Sequence, residues 1–163
     1  VAQVETVLYR VPPSDLTKVS PVFRDMLETP SGSEASEGRS DNRPIFLESI
    51  TRIDWERLLK VIFHKSYLDP PLQFNLDEWI SVLKLSTLWK MDVVRATAIK
   101  SIEEFDDPAR RIHVAREYGI LPSYYLPALT QLVMRPNPLS VQDLGYLGPE
   151  CGLNIASIRE RMN

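Results

Sequence analysis

Ser20 and Pro21 stand directly ahead of four apolar residues at helical spacing, Val22, Phe23, Met26 and Leu27. Serine is a preferred N-cap, and proline suits the first helical position, where the backbone N–H has no partner in any case. The four apolar side chains fall on one face of such a helix. That face needs an apolar surface opposite it. The extended run Pro44, Ile45, Phe46, Leu47, Glu48 supplies one, as if the helix were clipped onto the edge of a sheet. Between them, residues 28–43 are rich in Ser, Gly, Glu and Arg. Such a stretch buries too little apolar surface to offset its ordering entropy, so a mobile loop is expected there.

The flanks extend this pattern. Val7, Tyr9 and Val11 alternate with Thr6, Leu8 and Arg10, the period of a half-buried strand. Residues 1–5 read as the end of an earlier strand, paired with it as a hairpin. Pro12 and Pro13 stop that strand, and Ser14 with Asp15 starts a short helical turn at Leu16. Downstream, helix-start chemistry recurs. Thr51 with Asp54, Asn75 with Glu78, and Ser140 with Asp143 have capping-box spacing. Each is flanked by an apolar staple pair: Ile50 and Trp55, Phe74 and Trp79, Leu139 and Leu144. Trp55, Leu58, Leu59, Ile62 and Phe63 then share one helical face, and Trp79, Val82, Leu83 and Ser86 carry another toward Trp89. Asp92 is expected to cap a further helix. Asp107 and Pro108 start one that Gly119 can end. Pro149, Glu150, Cys151 and Gly152 read as a loop. The expected class is α+β: a mainly helical cluster with a small mixed sheet, followed by C-terminal helices.

At 163 residues the chain suits one domain, or one domain with a helical extension. No apolar run approaches the ~20 residues needed to span a bilayer, so no membrane partner is expected. The chain opens on Val1, Ala2, Gln3, Val4 without a basic, apolar leader, and the missing initiator Met suggests a fragment of a longer protein. One cysteine, Cys151, fits a reducing compartment, and an intracellular location, cytoplasmic or nuclear, is expected. A net charge of −3 argues against a nucleic-acid partner. Arg110, Arg111, Arg159 and Arg161 fall on segments that read as helices, where solvated faces are expected.

Little in the chain points to chemistry. His64 and His113 are the only imidazoles, and no pair has the spacing of metal ligands. A small hydrolase built on Cys151 and a histidine is the alternative of another class, and it needs long-range convergence. Glu103, Glu104, Asp106 and Asp107 are neighbours at a helix junction, without the pocket that would separate their pKa values. The expectation is therefore no enzyme, no cofactor and no metal. Surfaces remain, and the candidate partner contacts are Trp55, Leu59, Phe63, Tyr67 and Leu68, the last two opening a proline-pinned loop through Pro70, Pro71 and Leu72.

The order of these pieces resembles the BTB/POZ domain, in the form common in fungal proteins. There, two strands and a helix hairpin precede a further strand and then paired helices. Residues 77–86, followed by Trp89, Lys90 and Met91, resemble the penultimate helix of that family, and residues 93–99 its last. Residues 111–120 and 155–160 are similar to the helical, BACK-like extension of the fungal proteins. The resemblance implies a BTB/POZ-like domain over residues 1–106 with its first strand truncated, and the extension over 107–163. It further implies a non-enzymatic protein–protein interaction module that can form homodimers, with a substrate adaptor for a cullin-based ubiquitin ligase as the alternative. The cullin would meet the mid-domain helices around residues 55–67 and the helix after Pro108. Two departures weigh against the usual homodimer: Pro12 and Pro13 stand where many members have a histidine, and the exchanging N-terminal strand is a stub.

Overall fold

The computed structural model describes residues 1–28, 38, 40–65 and 68–162. The chain divides into two compact units, Val1–Ile99 and Lys100–Asn163. The division falls inside a helix, α5 (Asp92–Glu103), ahead of the 106/107 boundary expected above. Nine helices and a three-stranded mixed sheet make up the described residues, a mainly helical α+β chain.

In the first unit, β1 (Ala2–Val4) and β2 (Val7–Tyr9) form the expected hairpin, with Ala2 opposite Tyr9 and Val4 opposite Val7. Glu5 in the turn takes a left-handed φ of 52°. The third strand, β3 (Ile45–Phe46), runs parallel to β1, giving the order β2-β1-β3. Ile45 N–H donates to the Val1 carbonyl at 3.0 Å and Leu47 N–H to that of Gln3 at 2.9 Å. The short first strand is therefore the middle of the sheet, and both of its edges are paired.

Between β2 and β3 lie α1 (Pro13–Val19) and α2 (Pro21–Glu28), packed on each other. Pro12 is the N-cap of α1, so the helix starts at Pro13, one residue before the Ser14 that was expected to open it, and runs about two turns. Ser20 is fully buried and does two jobs. Its Oγ accepts from the Phe23 N–H at 3.1 Å, capping α2, and its hydroxyl donates to the Trp89 carbonyl at 2.6 Å. Phe23 is buried and Val22 and Leu27 are half-buried, but Met26 faces water. The apolar face is thus narrower than the spacing predicts. Of the 28–43 stretch, only Glu28, Gly38 and residues 40–43 are described, and the mobility expected for the rest lies outside the described residues. Gly38 is buried at φ +84°, where a Cβ would come within 2.8 Å of Ile45 Cδ1.

Two helices, α3 (Arg52–Ile62) and α4 (Leu76–Leu88), and the first part of α5 complete this unit. Asn75 and Glu78 form a full capping box at α4, and Phe74 meets Trp79 edge to face at 5.1 Å. At α3 only half the box forms. Thr51 accepts from Asp54 N–H, while the Asp54 carboxylate turns away to Lys84 Nζ at 3.3 Å. Asp92 lies in the first turn of α5 and is not its cap, because Arg95 N–H already bonds the Met91 carbonyl at 2.8 Å. Aromatic rings cluster within the unit's mainly aliphatic core. Trp89 packs edge to face on Phe23 at 5.0 Å and on Trp55 at 5.5 Å, and Tyr9 meets Trp55 at 6.2 Å.

The second unit holds α6 (Pro108–Glu117), α7 (Pro122–Met134), α8 (Val141–Leu147) and α9 (Pro149–Met162). Asp107 caps α6 through the Arg110 N–H. Gly119, at φ +61°, ends that helix and lets Ile120 N–H reach the Ala115 carbonyl at 2.8 Å. Ile112, Ala128, Leu132, Leu147 and Ile155 form the buried centre, with Tyr125, Tyr146 and Cys151 around it. Only Gly148 separates α8 from α9, at φ +76° and ψ 164°. Pro149 then opens α9, so Cys151 lies on a helix and not in the expected loop. Gly152 lets the two helices close up, since a Cβ there would collide with Leu144 Cδ2.

Candidate protein-interaction surfaces

Helix α3 sends Trp55 and Leu58 into the core and leaves Leu59 and Ile62 half-buried along its flank. Phe63 caps its C-terminus, donating its N–H to the Leu59 carbonyl at 2.9 Å, and remains 40% exposed. Leu68 and Asp69 N–H groups both donate to the Lys65 carbonyl at 2.8 Å, and Lys65 N–H donates to Asp69 Oδ2 at 2.7 Å. Leu68 is 68% exposed. His64 Nδ1 lies 3.9 Å from the same Asp69 carboxylate.

The five sequence candidates therefore separate. Phe63 and Leu68 are on the surface at the end of α3, with Leu59 half-buried beside the same helix end. Tyr67 lies outside the described residues. Trp55 is not a contact: it is fully buried among Tyr9, Phe23 and Trp89, and no partner can touch it without opening the core.

Polar groups hold the outer side of α3. Arg57 lies 3.8 Å from both Asp54 and Glu78 and donates to Ser81 Oγ at 2.7 Å. Burial pushes the Asp54 carboxyl up, but hydrogen bonds from Ser81, Lys84 and Thr51 outweigh it and hold the pKa below the ordinary value. Tyr9 donates to Glu56 Oε1 at 2.8 Å. Burial and that bond push the phenol up to about 12.

A second surface lies in the other unit. Val141, Leu144 and Gly145 of α8 face Leu153 and Ala156 of α9 across an apolar groove of about 850 Å³. Val141 is 88% and Leu153 71% exposed. The sequence reading missed this groove because it took 149–152 as a loop. Once Pro149 is the first helical residue, Leu153, Ala156 and Glu160 fall on one face by spacing alone. Arg159, expected on a solvated face, donates to the Leu132 carbonyl at 2.8 Å and ties α9 to the end of α7. Arg135 pairs with Asp143 at the start of α8. Burial again raises the Asp143 pKa, and the bonds from Arg135 and Ser140 bring it below the ordinary value.

Nδ1 of His113 lies 3.1 Å from the Tyr146 carbonyl and Nε2 3.5 Å from Glu117, while His64 is held near Asp69. Asp107 is committed as a cap, and Asp106 accepts from Gln131 at 2.6 Å. Among the described residues no three metal-ligating side chains gather, and no helix is long and apolar enough to cross a membrane. No protein-family model, curated protein or solved structure matches the chain.

Proposed function

We propose that this chain is a non-enzymatic protein–protein interaction module of the BTB/POZ type, with a BACK-like helical extension in its second unit. The observation that supports this most is the order of elements in the first unit: a strand hairpin, a helix pair, a third strand beside the first, then successive helices. Ser20 joins the helix pair to the end of α4, so the pieces the resemblance rests on are physically linked. The module works by burying apolar side chains at the end of α3, with polar groups at the rim. Phe63 and Leu68 are the outermost of these. The alternative reading is a substrate adaptor, for which a cullin scaffold is the partner at this face and the setting is intracellular. Sedimentation velocity tests the reading. Mixed with a purified cullin N-terminal domain at roughly tens of micromolar, a range that detects weak association, the chain is expected to run as a faster complex. Unchanged boundaries for both components would overturn the adaptor role.

A further inference from the structure

We draw no further inference here: the strongest candidate, the apolar groove between α8 and α9 lined by Val141, Leu144 and Leu153, is an unpartnered face, and nothing in the structure shows what covers it.

Discussion

Ser20 is a fully buried hydroxyl that ties two distant parts of the first unit together. It accepts from the first turn of α2 and donates to the carbonyl of Trp89, sixty-nine positions away, with no exposure to water. Removing it leaves a buried carbonyl and a buried N–H unpaired, a cost of about 1–3 kcal/mol. Ser20→Ala is therefore expected to lower the urea midpoint of the first unit with the slope unchanged. A stability equal to wild type would show that the bond to Trp89 carries nothing. Tyr9 offers a separate residue-scale test. Its ordinary pKa of 10.0 rises to about 12 in the fold. A group whose pKa is raised by folding gives stability that is complete below pH 10.0 and is lost as the pH climbs toward 12. Ultraviolet titration of the wild type minus Tyr9→Phe should show one phenol ionising near 12, merging with the others on unfolding.

At the scale of elements, what the sequence made legible was start chemistry. Asn75 with Glu78 and Ser140 with Asp143 formed both halves of their boxes, because a side-chain oxygen three positions from its target needs no tertiary help. Thr51 with Asp54 formed only one, because Lys84 from another helix drew the carboxylate away, and no local pattern reports that competition. The start of the helix over 149–162 was illegible for a related reason, although residues 155–161 read as helical. Pro, Cys and Gly in its first turn read as a loop until Gly148 is seen to make a one-residue joint. The apolar groove, which depends on that helix, was lost with it. Gly148 holds φ +76° and ψ 164°, a region nearly closed to side chains. Gly148→Ala, with no neighbouring atom within 4 Å to clash with, isolates the backbone cost. The second unit should lose about 1–3 kcal/mol, read as a lower melting temperature.

For the whole molecule, the position of β1 has a direct consequence for assembly. Its two edges are taken by β2 and β3 of the same chain, so β1 itself is not open to pairing with a second copy. The chain alone should sediment as a monomer at roughly tens of micromolar. A dimer at that concentration would mean that another surface, such as the groove on α8 and α9, drives association. The proposed partner face is different in kind, because it rests on two exposed apolar side chains, Phe63 and Leu68, near the end of α3. Sequence spacing placed Phe63 and Leu68 near each other but also put Trp55 among the contacts, since periodicity tells which residues share a face and not which way the face points. Titration calorimetry of a cullin N-terminal domain against the wild type and the Phe63→Asp/Leu68→Asp double variant tests the central claim most directly. The prediction is at least about tenfold weaker binding for the variant, roughly 1.4 kcal/mol, with its melting temperature retained. Equal affinity for the two proteins would contradict it.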